Sequence, residues 1–174
     1  MSFQKYDFSN LFVLDLANNH QGSVGHGKSI IEYCASLSKQ YNLRAGIKFQ
    51  FRDLPNFISP KEQIEPKNKH VPRFLGTKLS WDEFAELKKD AKEKGLLTIC
   101  TPFDEASVDK ICEMDFDIIK VASCSANDWP LIEKIASANK PVICSTGGLT
   151  VEQIDKVVSY LTHNAVDFAL MHCV

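Results

Sequence analysis

A chain of 174 residues with 44% hydrophobic content can bury one substantial core, and nothing in its length requires a second domain. Its formal net charge of -2 mixes both signs throughout, which excludes a broad basic footprint for nucleic acid and favours a small-molecule ligand. No apolar stretch approaches the roughly 20 residues needed to span a bilayer, and the opening MSFQKYDFSN lacks an apolar signal-peptide core, so a cytoplasmic protein with no membrane role is expected.

The first apolar run, residues 12–16, leads into Asn18-Asn19-His20-Gln21-Gly22. Asparagines and a glycine commonly mark a tight turn, which His20 could cap or bridge. Asp15 interrupts this run, and a carboxylate at that depth needs a partner such as a lysine or a substrate hydroxyl. A helix is expected over about residues 25–41, with Ile30, Ile31, Cys34 and Leu37 at its periodic positions.

The second run, residues 45–51, carries Lys48 and Gln50 on one face, because strand side chains alternate with period two. Residues 52–79 follow, with Pro55, Pro60, Pro66 and Pro72, many charges and little period. So long a connection is read either as a functional lid or as a solvated surface loop. Ser80 and Glu83 then have capping-box spacing and start a helix through Phe84, Leu87 and Ala91 to Gly95.

The third run, residues 97–100, ends at Thr101-Pro102-Phe103-Asp104, and Asp104 can cap a short helix holding Val108, Ile111 and Cys112. The fourth, residues 117–122, carries Lys120 and precedes Ser123, after which Asp128 can cap a helix with Leu131, Ile132 and Ile135. The fifth, residues 142–144, precedes Ser145-Thr146-Gly147-Gly148; the glycines permit either a simple turn or close backbone approach. Thr150 with Gln153 forms a second capping box, and Ile154, Val157, Val158 and Leu161 share one face of the helix that follows. The sixth run, residues 168–174, surrounds His172, read as a core or strand-end histidine.

Strand and helix therefore alternate, the order expected for parallel strands joined by right-handed crossovers. Strands buried on both faces with polar C-terminal ends are how a β/α barrel builds a site. Cys100, Cys144 and Cys173 are expected inside buried strands as small hydrophobes, and the six cysteines are expected to be reduced thiols. No pair has short zinc-site spacing, so no metal ligand is assigned in this chain.

A lone lysine in an apolar strand must reach the strand end or find an anion, since an unpaired buried ammonium is costly. Each of Lys48 and Lys120 could snorkel to solvent or pair with a carboxylate; two at equivalent strand ends favour a phosphate or carboxylate site. Thr101, Ser123 and Ser145 would add hydroxyl donors from neighbouring strand ends.

The succession Asn-Asn-His-x-Gly, Ile-Lys-Phe-Gln, Thr-Pro-Phe-Asp, Lys-Val-Ala-Ser, Lys-Pro-Val-Ile-Cys-Ser-Thr-Gly and His-Cys resembles, in order and spacing, the N-terminal part of the sialic acid synthase family. The resemblance covers about residues 12–174 and implies a (β/α)8 TIM barrel. There phosphoenolpyruvate condenses with the open-chain aldehyde of an N-acetylated amino sugar, N-acetylmannosamine or a relative, to a nonulosonic acid and phosphate. Carried across, it makes Lys48 and Lys120 the catalytic lysines and gives Thr101, Ser123 and Ser145 to phosphoenolpyruvate and Asp15 and Gln50 to the sugar. A Schiff-base aldolase through Lys120, another phosphoenolpyruvate-utilising aldolase, or a non-catalytic anion-binding module are the competing readings.

Two positions depart from the family pattern: Asp15 stands where a glutamate is usual, and Ser125 stands where a glutamate commonly follows the serine by two. The resemblance further implies that residues 1–174 form a barrel domain truncated after its sixth strand, without strands seven and eight or the C-terminal antifreeze-like domain. A divalent metal (manganese, magnesium or cobalt) is implied for the full-length enzyme, with ligands beyond Val174, as is a homodimer; the isolated chain is expected to be inactive.

Overall fold

The computed structural model describes residues 5–173. Its strands are β1 (Leu11–Asp15), β2 (Arg44–Phe51), β3 (Leu97–Pro102), β4 (Ile118–Val121), β5 (Val142–Ser145) and β6 (Phe168–Met171). All pair in parallel, in the order β1-β2-β3-β4-β5-β6. Parallel neighbours need a crossover between them. These are supplied by α1 (Val24–Gln40), α5 (Trp81–Glu93), α6 (Glu105–Glu113), α7 (Trp129–Ala136) and α8 (Val151–His163).

Helix starts sit where side chains satisfy the first-turn amides. Ser80 and Glu83 form a reciprocal capping box on α5, and Thr150 and Gln153 another on α8. Asp104 accepts from Ser107 N and Asp128 from Leu131 N, opening α6 and α7. The cores of α5 (Phe84, Leu87, Ala91) and α7 (Leu131, Ile132, Ile135) pack on the outer face of the sheet. Phe51 anchors this layer, its ring within 5.5 Å of those of Trp81, Phe84 and Phe116.

The other face lines a cavity. Val13 of β1 and Met171 of β6, at opposite edges of the sheet, line one cavity with residues of β2 to β5, so the sheet curls into an open half-barrel. Period-two alternation divides its interior into layers. Ile99, Ile118 and Ile143 form an apolar floor on which Leu11 and Val13 pack. Gly46 gives Ile99 its room, since a Cβ there would lie 2.7 Å from Ile99 Cδ1. Lys48, Gln50, Thr101, Lys120 and Ser145 come two residues or so later on the same face, above that floor.

Three expectations change. Residues 52–79 are not aperiodic but contain α2 (Leu54–Phe57), α3 (Pro60–Ile64) and α4 (Val71–Gly76). Pro55, Pro60 and Pro72 each fall in a first turn, where the missing N–H costs nothing, so prolines start these helices rather than break them. Secondly, β1 and β6 are not buried on both faces: each has one strand neighbour, and Phe12, Leu170 and Met171 are exposed. Thirdly, Cys173 lies beyond β6 and is only half-buried, whereas Cys100 and Cys144 are buried in β3 and β5 as expected. His172, directly after the strand, is exposed, so of the two readings, core or strand-end, the second holds.

Candidate active site

Asp15, Lys48, Gln50, Thr101, Lys120, Ser123 and Ser145, contributed by β1 to β5 and the turn after β4, all line a single cavity of ≈ 330 Å³ at the C-terminal ends of the strands. Val13, Ala122 and Met171 complete its wall. No two of the seven are neighbours in sequence; parallel strands in register bring them together.

Lys48 Nζ lies 2.6 Å from the Asp15 carboxylate, the residue beside it in register on β1. The lysine is buried, whereas the Asp15 side chain is 62% exposed. The carboxylate thus finds the expected lysine partner, but at the cavity mouth rather than at depth. Lys120 donates to the Val121 carbonyl at 2.9 Å and to Ser145 Oγ. Burial pushes its pKa below the ordinary lysine value, and the Lys48 charge pushes the same way. Two buried ammonium groups thus line one polar cavity, Lys48 paired with Asp15 and Lys120 with no carboxylate partner among the described residues.

The hydroxyls are arranged around them. Ser123 Oγ accepts from Gly147 N at 3.1 Å, tying the turn after β4 to the turn after β5. A side chain at Gly147 would break this approach, because a Cβ there would lie 3.0 Å from both Ser123 Oγ and Cys173 Cβ. Thr101 Oγ1 is buried and has no hydrogen-bond partner. It lines the same cavity as the two lysines, a buried donor without an acceptor among the described residues.

Gln50 also lines a second, smaller cavity of ≈ 40 Å³ with Asn18, His20 and Arg52. His20 is the turn residue there: its Nδ1 accepts from Gly22 N at 3.1 Å and its ring meets Phe84 edge-on. Burial pushes its pKa down. Arg52, absent from the residues assigned by sequence, donates to Gln50 Oε1 at 3.3 and 3.4 Å. Its signal was present, since 48, 50 and 52 continue one period-two series beyond the end of the apolar run. Among the described residues no three His, Cys, Asp or Glu side chains come together as a metal-ligand set. No helix among them is long and apolar enough to cross a membrane.

Residues 30–174 match the NeuB family. The chain is 34% identical to an uncharacterized protein of Methanocaldococcus jannaschii over 157 residues, covering 90% of this chain and 43% of that one. It is 30% identical to the N,N'-diacetyllegionaminic acid synthase of Campylobacter jejuni over 174 residues, covering 94% of this chain and 51% of the relative. Among solved structures, that of the spore coat polysaccharide biosynthesis protein E of Chromobacterium violaceum superposes with a TM-score of 0.92 at 43% identity, covering 95% of this chain and 49% of that one. The chain thus spans about half the length of the relatives it matches. In agreement with its strand-end motifs, the chain belongs to the NeuB family.

Proposed function

We propose that the protein containing this chain condenses phosphoenolpyruvate with the open-chain aldehyde of an N-acetylated amino sugar, acting in the cytoplasm, to give a nonulosonic acid and phosphate. The observation that carries this reading is the convergence of Lys48, Lys120 and the unpartnered Thr101 hydroxyl on one cavity. The name of the Campylobacter relative, a synthase of such an acid, supports the same chemistry. The fold reading is a (β/α)8 barrel of which this chain supplies six strands, with a homodimer at full length.

In this reading the two ammonium groups hold the phosphate and carboxylate of phosphoenolpyruvate, with Thr101, Ser123 and Ser145 donating to their remaining oxygens. Carbon 3 forms a bond to the aldehyde carbon, and the aldehyde oxygen takes up a proton. Water adds at carbon 2, and inorganic phosphate leaves. Fixed positive charge lowers the barrier because negative charge concentrates on the phosphate as it departs. Asp15 and Gln50 stand on the mouth side, where the sugar would enter. The divalent metal implied for the family finds no ligand set among the described residues, so no step is drawn through it.

The test is an assay of the protein at its full natural length with phosphoenolpyruvate and a panel of N-acetylated amino sugars, following phosphate release and product mass. A nine-carbon keto acid formed with equimolar phosphate is expected. Phosphate release without a new carbon-carbon bond, or no turnover with any sugar, would overturn the reading.

A further inference from the structure

Arg52 is held without a carboxylate. It forms none of the ion pairs found among the described residues, and its Nε is buried with no partner. Its guanidinium lies 3.7 Å from the Phe103 ring centroid and 4.3 Å from that of Phe74, fixing it between the end of β3 and α4. Burial lowers its pKa to about 10, so it remains charged at neutral pH. Its two terminal nitrogens both face one atom, the side-chain oxygen of Gln50.

A guanidinium only donates, so the Gln50 atom facing it must be the carbonyl oxygen. A carboxamide has one oxygen and one nitrogen on opposite sides. Engaging the oxygen leaves the NH2 group, which has no partner among the described residues, as the end free for the cavities that Gln50 lines. A glutamine that could otherwise rotate and offer either end is made donor-only.

We propose that Arg52 is a positioning residue that fixes the Gln50 carboxamide with its nitrogen toward the sugar, so that the site reads a carbonyl oxygen of that substrate. The proposal rests on the synthase reading above. The carbonyl can be the aldehyde of the open chain or that of the N-acyl group. A sugar bearing hydroxyl in place of the acylamino group distinguishes the two: the Arg52 effect persists on that sugar in the first case and vanishes in the second.

The experiment measures steady-state kinetics of Arg52→Met, Arg52→Lys and Gln50→Glu in the protein at full natural length, varying each substrate separately. Methionine keeps an unbranched apolar contact with Phe74 and Phe103 but donates nothing. Arg52→Met should raise the sugar KM about tenfold, the scale of one charge-assisted hydrogen bond. The phosphoenolpyruvate KM should stay within about twofold, as for an independent site. Arg52→Lys should recover part of the loss. Gln50→Glu keeps an acceptor for Arg52 but has no NH2, and should show the same sugar defect with melting unchanged.

Equal damage to both substrates in Arg52→Met, or an unaltered sugar KM in Gln50→Glu, would overturn the assignment. An unmodified protein without turnover would instead remove the synthase reading, and this assignment with it. Turnover with Arg52→Met kinetics like those of the unmodified protein would remove the Arg52 assignment alone.

Discussion

Asp15 and Lys48 sit side by side in register on β1 and β2, and their side chains close to 2.6 Å across the mouth of the cavity. The carboxylate therefore occupies the ammonium that a ligand phosphate would use. With Asp15 mostly exposed, this pair is worth less than about 1 kcal/mol. Asp15→Asn should bind phosphoenolpyruvate a few-fold more tightly by calorimetry, with the gain shrinking at high salt. Weaker binding would mean that Asp15 orients Lys48 rather than competing for it.

Lys120 separates binding from stability. Removing a desolvated ammonium that Lys48 repels should leave melting unchanged or raise it in Lys120→Met, while phosphoenolpyruvate affinity falls about a hundredfold. A scanning melt and a titration on the same sample check both. Borohydride with substrates present addresses the competing imine chemistry: no reduced adduct on Lys120 is expected, and one would replace the electrostatic role with a covalent one.

The lowered Lys120 pKa also sets a pH dependence. Between that lowered value and the ordinary lysine range, the unfolded chain binds more protons at this residue than the folded one. Stability should therefore rise with pH through that window relative to Lys120→Met, and the difference should be constant below it. Affinity for phosphoenolpyruvate runs the opposite way, falling as Lys120 loses its proton. Lys120→Arg, which stays charged, should lose that fall. Affinity in the unmodified protein that holds until ordinary lysines titrate would contradict the depressed value.

Gly147→Ala should place a methyl 3.0 Å from Ser123 Oγ and Cys173 Cβ and push apart the turns after β4 and β5. Overpacking of this kind costs about 1–3 kcal/mol. Anion affinity should fall with it, because the displaced Ser123 and Ser145 both line the cavity. Denaturant melts and titration of the variant provide the measurement; full affinity would show that Ser123 is not a contact.

The chain is expected to self-associate. The exposed Phe12 on β1 and the exposed Leu170 and Met171 on β6 mark edges that invite pairing. Phe12→Lys with Leu170→Lys should shift sedimentation toward monomer. A monomer without these changes would count against this.

Much of the site was legible because alternation is a local rule. Lys48, Gln50 and Lys120 interrupt apolar runs at fixed parity, and parallel register then forces them to one end of one face. Helix starts were equally legible, since Ser80, Asp104, Asp128 and Thr150 act on amides three residues away. Exposure at β1 and β6 was not, because the burial of an edge depends on a neighbour that no local pattern reports. The short helices α2, α3 and α4 hold too few residues to set up a period. Arg52 continues the parity of 48 and 50, but its contacts with Phe103, fifty-one positions away, and with Phe74 in one of those short helices follow from no local pattern.

Every strand after the first pairs with the one made just before it. Such a sheet can be laid down in the order of synthesis, each βα unit docking on an edge that already exists, so most loops to be closed are short. The anion cavity matures along the same course: Lys48 arrives with the second strand, Lys120 with the fourth and Ser145 with the fifth. Until the fourth strand docks, the nascent chain has only one of the two ammonium groups in place, so on the proposed reading a bound anion would stabilise only the later stages of assembly.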